Sequence, residues 1–206
     1  MADYGALSEE HMNTERRAAV SRIGRESRER RHGHRGGVFW LTGLSGAGKS
    51  TLAFGVEQRL FQAGMQVMAL DGDVLRRGLC ADLGFSLDAR RENVRRVAEV
   101  AALLARSGQI CLCACIAPLR EFRNMSRAVI GADYHEIYVR CPLEVCRFRD
   151  VKGLYARVDA GIVREYTGVS SPYEPPEQPD LTLPTHELNV NRCLDMLEAF
   201  VRSRVA

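Results

Sequence analysis

The sequence predicts an α/β fold, with a mostly parallel sheet and helices packed on both faces. Three observations predict it. From Val38 to the C-terminus, short apolar runs alternate with longer stretches of helical periodicity. A G-x-x-x-x-G-K-S segment, Gly43-Leu44-Ser45-Gly46-Ala47-Gly48-Lys49-Ser50, lies between the first apolar run and the first helical stretch. An Asp71-Gly72-Asp73 cluster closes the second apolar run, on the same edge of the sheet as the glycine-rich segment.

The elements follow in order. Residues 1–36 read as a charged N-terminal arm, helical where both signs interleave between Glu15 and Arg31. Gly33-His34-Arg35-Gly36-Gly37 ends that helix, and a single domain over 37–206 follows. Val38–Leu41 is the first strand, Thr51–Ala63 the first domain helix, and Gln66–Leu70 the second strand. Ser86 is the N-cap of a long helix that stops at Gly108, with Val94, Val97, Ala101 and Leu104 on its core face. Gln109–Ile116 is a strand in which Cys111, Cys113 and Cys115 share one face. A helix from about Arg120 to Val129 and a strand from Tyr134 to Arg140 come next. Pro142 fits the first turn of a helix through Arg149. Residues 150–180, rich in Gly, Pro and charge, read as a long mobile lid segment. Leu181–Leu183 is a short strand, and Asn189–Arg204 a closing helix.

The glycine-rich segment reads as a phosphate loop for a nucleoside triphosphate. Its glycines let backbone N–H groups turn toward phosphates, and the next helix adds its positive N-terminus. Lys49 is placed to reach the β- and γ-phosphates, the Ser50 hydroxyl to bind Mg²⁺, and Thr51 to touch the α-phosphate. Of 29 basic residues only Lys49 and Lys152 are lysine. A compact ammonium survives in this arginine-rich chain where a planar guanidinium would not substitute. Asp71 and Asp73 are placed to position the metal and to take a proton from an attacking hydroxyl. The chain therefore reads as a P-loop nucleoside-triphosphate hydrolase-like fold of the kinase type.

Other classes are excluded or disfavoured. No run of about 18 apolar residues exists, and the acidic, polar N-terminus lacks the plan of a signal peptide. A net charge of +3 does not argue for a nucleic-acid partner. A guanine-reading N-K-x-D motif is absent, because Lys152 lies in Asp150-Val151-Lys152-Gly153. Seven cysteines without a C-x-x-C pair suit buried thiols in a reducing cytoplasm better than a metal site. Arg123 and Arg127 read as solvated helix residues, with Arg120 at the border of the strand end.

The chain resembles the adenylyl-sulfate (APS) kinases of sulfate assimilation. Nine stretches carry the resemblance, in family order: Gly33–Gly36, Gly43–Thr51, Asp71–Asp73, Leu83–Ser86, Arg91–Arg96, Pro142–Cys146, Asp150–Tyr155, Tyr166–Gly168 and Ser171–Glu174. The resemblance implies transfer of the ATP γ-phosphate to the ribose 3′-hydroxyl of APS, giving PAPS and ADP. It implies that Asp73 contacts that hydroxyl and Mg²⁺, with Asp71 beside it. It also implies that Arg76, Arg91 and Asn93 grip the substrate, and that Phe85 and Tyr166 sandwich its adenine. Lys152 then matches a lid lysine near the transferred phosphate, and Ile116 and Leu154 complete the substrate-binding set. A homodimer is implied, with possible association with an ATP sulfurylase.

Two departures stand out. The family usually has Ile-Ser-Pro after the third strand, its serine being the phosphoserine position. This chain has Ile116-Ala117-Pro118. Its Arg164-Glu165-Tyr166-Thr167-Gly168 stands where the family has Lys-x-Phe-Thr-Gly. They keep two alternatives open: a kinase of the same fold acting on another nucleotide-linked group, such as a nucleoside diphosphoramidate, and a non-catalytic nucleotide-binding subunit.

Overall fold

A computed structural model describes residues 23–151, 153–162 and 166–206. Five parallel strands form one sheet in the order β2-β3-β1-β4-β5: β1 Gly37–Thr42, β2 Val67–Asp71, β3 Ile110–Ala114, β4 Tyr134–Arg140 and β5 Leu181–Pro184. The helices are α1 Arg25–His32, α2 Lys49–Gln62, α3 Gly72–Leu75, α4 Leu87–Arg106, α5 Arg120–Ile130, α6 Leu143–Arg149, α7 Leu154–Asp159 and α8 Val190–Val205. No helix among the described residues is long and apolar enough to cross a membrane.

The central strand explains the layering. Every residue of β1 is buried, as a parallel strand covered on both faces requires. Its side chains alternate: Phe39 and Leu41 join one core with Leu52, Val56 and Leu60 of α2 and Leu197 and Val201 of α8. Val38 and Trp40 join the other core with Val94, Val97, Ala98 and Ala101 of α4 and Phe122 of α5. Cys111, Cys113 and Cys115 all belong to this second core. There the small thiols fit beneath the alanine-rich face of α4, and burial pushes the Cys113 and Cys115 thiols upward.

Most expected elements appear within two residues of their predicted ends. Ser86 caps α4 by accepting from the Ala89 N–H at 3.2 Å, and Asn189 caps α8 through the Arg192 N–H at 2.9 Å. Pro142 lies one residue before α6, at its N-cap, rather than in the first turn. The segment 150–180 is not featureless. Asp150 accepts from the N–H groups of Tyr155 and Ala156, both at 3.0 Å, and starts α7. These bonds hold its carboxyl below the usual range. Further on, Tyr173 and Glu174 dock on the sheet edge. The Tyr173 hydroxyl lies 3.2 Å from Thr42 Oγ1, and the Glu174 N–H donates to Pro118 O at 2.9 Å.

The described part of the arm is bonded to the domain. Arg25 reaches Asp133 at 2.9 Å and Gly36 O at 3.1 Å, while Glu29 Oε1 accepts the Gly36 N–H at 2.8 Å. In Gly33-His34-Arg35-Gly36, His34 Nε2 accepts from the Gln66 N–H at 3.0 Å. Its Nδ1–H therefore donates to Arg35 O at 2.9 Å. Gly36 itself has no room for a side chain, since a Cβ there would meet Ala105 O at 2.2 Å. This motif ties α1 to the sheet at the N-terminal ends of the strands, away from the phosphate loop. Residues 1–22 lie outside the described residues.

All seven cysteines are free and buried. We predict that the native protein reacts slowly with an aromatic disulfide reagent and releases all seven equivalents only on unfolding in denaturant. Rapid reaction of several thiols in the native state would contradict the packing described.

Candidate active site

The C-terminal ends of β1, β2 and β3 border one crevice, as open parallel sheets place their ligands. The phosphate loop follows β1, Asp71 ends β2, Ile116–Pro118 follows β3, α6 follows β4, and Thr185 follows β5. The crevice encloses a cavity of about 900 Å³.

The loop's geometry begins with its glycines. Gly43 has φ +152° and Gly46 φ +78°. A Cβ at Gly43 would lie 2.4 Å from Val139 O, and one at Gly46 would lie 3.0 Å from Cys146 O. The carbonyls from Gly43 to Gly48 are all engaged. Lys49 Nζ donates to Gly43 O at 2.9 Å and Leu44 O at 2.8 Å. The Tyr155 hydroxyl donates to Ser45 O at 3.0 Å, Arg149 to Gly46 O at 3.4 Å, and the Thr185 hydroxyl to Ala47 O at 2.8 Å. Gly48 O takes the Leu52 N–H of α2. A loop with its carbonyls committed in this way presents its remaining N–H groups to an anion, at the N-terminus of α2. Ser45, Gly46, Gly48, Lys49, Ser50 and Thr51 line the cavity; Gly43, Leu44 and Ala47 support it from behind.

The two carboxylates occupy different places. Asp71 is buried, and its Oδ1 caps α3 through the Asp73 and Val74 N–H groups at 3.0 and 3.3 Å. Its Oδ2 accepts from Ser50 Oγ at 2.6 Å. Asp73 is exposed in the cavity wall. The carboxylate in hydrogen-bond contact with Ser50 is therefore Asp71, not the Asp73 expected as its metal-binding partner. Asp71 ends β2 and Asp73 lies in the first turn of α3, so the two carboxylates reach the cavity from different elements.

The acceptor side is built from α3, α4 and the segment after α7. Phe85 is 57% exposed and lines the cavity with Tyr166, Asn93, Ile116 and Leu154. Asn93 is buried, and its Oδ1 has no hydrogen-bond partner among the described residues, which leaves an acceptor for a ligand donor. Arg76 lines the same cavity but has a structural task as well. Its Nη1 donates to Leu83 O and Gly84 O, both at 3.1 Å, and its guanidinium lies 4.4 Å from the Phe85 ring centroid. Arg91 does not line the cavity; it is exposed and pairs with Glu121 at 3.5 Å. Arg90, which the sequence reading missed, does line it. Its Nε donates to Phe85 O at 2.7 Å and its Nη1 to Thr167 Oγ1 at 2.8 Å, joining the two walls. Helical phase was the available signal: Arg90 shares a face with the buried Asn93, Val94 and Val97, and Arg91 is rotated off it. Lys152 and Arg164 lie outside the described residues.

Arg123 corrects the expectation of a solvated side chain. It is 2% exposed, ion-paired through Nε with Glu136 Oε1 at 2.7 Å, and it donates to Ala117 O at 3.0 Å. Ala117 is buried with φ +41°, a left-handed conformation for a residue with a side chain. The buried pair thus anchors the Ile116–Pro118 turn in the cavity wall. Burial pushes the Glu136 carboxyl up, and the Arg123 charge pulls it back. Arg127 is half exposed, 4.7 Å from the Tyr134 ring centroid. Arg120 is exposed and pairs with Glu177.

Comparison with known proteins agrees with this geometry. The adenylylsulphate kinase family model matches residues 35–184. The chain is 43% identical to an adenylyl-sulfate kinase of Clostridium acetobutylicum over 182 residues, covering 88% of this chain and 91% of that protein. It is 50% identical over 165 residues to one from Paraburkholderia xenovorans, covering 80% and 92%. A solved Mycobacterium tuberculosis APS kinase, in complex with AMPPNP and APS, superposes with a TM-score of 0.79 at 43% identity, over 82% of this chain and 98% of that one. A hexameric APS kinase from Thiobacillus denitrificans matches with a TM-score of 0.64 at 31% identity, over 98% of this chain and 38% of that one.

Replacing Arg123 by Ala leaves Glu136 buried without its partner, and we predict a loss of about 3–5 kcal/mol in chemical denaturation. Glu136, with its folded pKa raised further, contributes stability below its unfolded pKa that is lost as pH rises through the folded value. The deficit therefore grows with pH. The double variant Arg123→Met, Glu136→Leu should regain parental stability to within about 1 kcal/mol. An Arg123→Ala protein as stable as the parent would contradict this account.

Proposed function

Because this chain belongs to the adenylyl-sulfate kinase family, we propose the residue-level route by which it phosphorylates the 3′-hydroxyl of APS with ATP, giving PAPS and ADP. One observation carries the reading: the phosphate loop and Asp73 border the same cavity as Phe85, Asn93 and Tyr166. A triphosphate on the loop and an adenosine between the aromatic walls would meet in that space.

The loop's N–H groups and Lys49 hold the β- and γ-phosphates. On triphosphate binding, the Lys49 ammonium reaches phosphate oxygens, which match its charge, while it stays against Gly43 O and Leu44 O. Phe85 offers a half-exposed stacking face, and Tyr166 an opposing ring that keeps the stacking of the family's phenylalanine. Arg90 holds these two walls in register, and Asn93 Oδ1 accepts from the acceptor nucleotide. The Asp73 carboxylate takes the proton of the 3′-hydroxyl as its oxygen bonds to the γ-phosphorus. The bond to the β,γ-bridging oxygen breaks, and ADP leaves with the electron pair. Transfer is direct, since Ala117 has no hydroxyl to carry a phosphate. The family resemblance assigns Lys152 to completing the charge around the transferred group.

The donor set fits Mg²⁺, a hard cation that takes oxygen ligands: Ser50 Oγ and Asp71 Oδ2 are in contact, and Asp73 lines the same cavity. When bound there, Mg²⁺ neutralises charge on the β- and γ-phosphates. The same reading includes a homodimer in the cytoplasm, supported by the hexameric relative and by the buried free thiols. It also includes association with an ATP sulfurylase.

The purified protein should form PAPS from APS in an ATP- and Mg²⁺-dependent assay, in preference to cytidine nucleotides or diphosphoramidates in a substrate panel. A folded protein that leaves APS unchanged would sink the assignment. Asp73→Asn should lower turnover by about 10²–10⁴-fold while binding AMPPNP as the parent does. Turnover above a tenth of the parent's would remove Asp73 from the role of base.

A further inference from the structure

Tyr155 touches both halves of the cavity, and the mechanism above does not use it. It is 3% exposed, inside the core cluster that also contains Tyr166 and Cys146. Three contacts fix it. Its backbone N–H donates to Asp150 Oδ1 at 3.0 Å, which sets the start of α7. Its hydroxyl donates to Ser45 O at 3.0 Å, at the tip of the phosphate loop. Its ring meets Tyr166 edge to face, with centroids 4.9 Å apart and planes at 82°. A second contact runs alongside: a Cβ at Gly168 would lie 2.5 Å from Leu44 Cδ2, so the segment carrying Tyr166 packs directly on the loop. Burial pushes the Tyr155 phenol up, so its hydroxyl remains a donor across the physiological range.

We propose that Tyr155 is a positioning residue that holds the phosphate loop with its hydroxyl and the acceptor-stacking ring of Tyr166 with its edge. The two tasks reside in different atoms. The hydroxyl turns the Ser45 carbonyl away from the cavity, which leaves the loop N–H groups directed at the donor phosphates. The ring edge sets the plane of Tyr166 and hence the width of the slot opposite Phe85. The inference rests on the reading of the cavity as a shared ATP and APS site.

Removing the hydroxyl alone separates the tasks. In calorimetric titrations with AMPPNP and with APS, Tyr155→Phe should bind AMPPNP about fivefold more weakly, the effect of one neutral hydrogen bond, with APS affinity within about twofold of the parent. Tyr155→Leu also loses the edge-to-face contact and should weaken APS binding about fivefold as well. A merely structural role would move both affinities together, or neither. Unchanged AMPPNP binding by Tyr155→Phe, or an equal loss for both ligands, overturns the proposal. Should Tyr155→Leu fail to fold, the split shown by Tyr155→Phe decides alone. A parent that binds AMPPNP but not APS would instead defeat the functional reading, and the AMPPNP comparison would still judge the hydroxyl's role.

Discussion

The direction of six carbonyl groups governs this molecule. A loop can cradle phosphates with its N–H groups only if its C=O groups point elsewhere, and a buried carbonyl without a donor is costly. Here the donors for Gly43 to Gly48 come from Lys49 and Leu52 of α2, Tyr155 of α7, Arg149 of α6 and Thr185 after β5. Elements far apart in the chain must converge on the C-terminal ends of the strands to supply them. The parallel sheet with β1 at its centre is the scaffold that brings them there. The glycines at 43 and 46 permit the turn, and the surrounding donors hold it.

A second constraint acts across the cavity. The acceptor walls are not rigid elements of the sheet, so their positions depend on polar ties. Arg90 spans from Phe85 O to Thr167 Oγ1, and Arg76 gathers the Leu83–Gly84 carbonyls beneath the Phe85 ring. Arg123, paired with Glu136 on β4, holds the Ala117 carbonyl. Arginine suits these tasks: its fork reaches two carbonyls, or a carbonyl and a hydroxyl, from one side chain. Lys49 has a different job, because a compact point charge can serve two carbonyls of its own loop from beside the phosphate site.

The fold was legible in the sequence because its signals are local. Apolar alternation in β1, the Ser86 and Asn189 caps and the helical spacing of Val94, Val97 and Ala101 each depend on a few adjacent residues. The phosphate loop and the carboxylate pair were legible for the same reason. What escaped depends on distant partners. The spacing of Arg120, Arg123 and Arg127 is that of an exposed helix face, and nothing nearby announces that Glu136 will bury the middle one. Arg91 came from the family motif, whereas helical phase puts Arg90 on the cavity side with Asn93. The segment after Asp150 looked irregular because its order comes from an aspartate cap and from docking on Thr42, Leu44 and Pro118, not from its own periodicity. The contact of Ser50 with Asp71 was not legible, because it depends on β2 ending beside the phosphate loop.

At the centre of the account is a single displacement at the γ-phosphorus, with donor and acceptor in one cavity and no phosphoenzyme on the way. ATP made chiral by oxygen isotopes at its γ-phosphate, turned over with APS, tests it most directly. Inverted configuration at the phosphorus of PAPS is the predicted result, since one in-line step inverts once. Retention would mean two transfers through an enzyme group and would contradict the account.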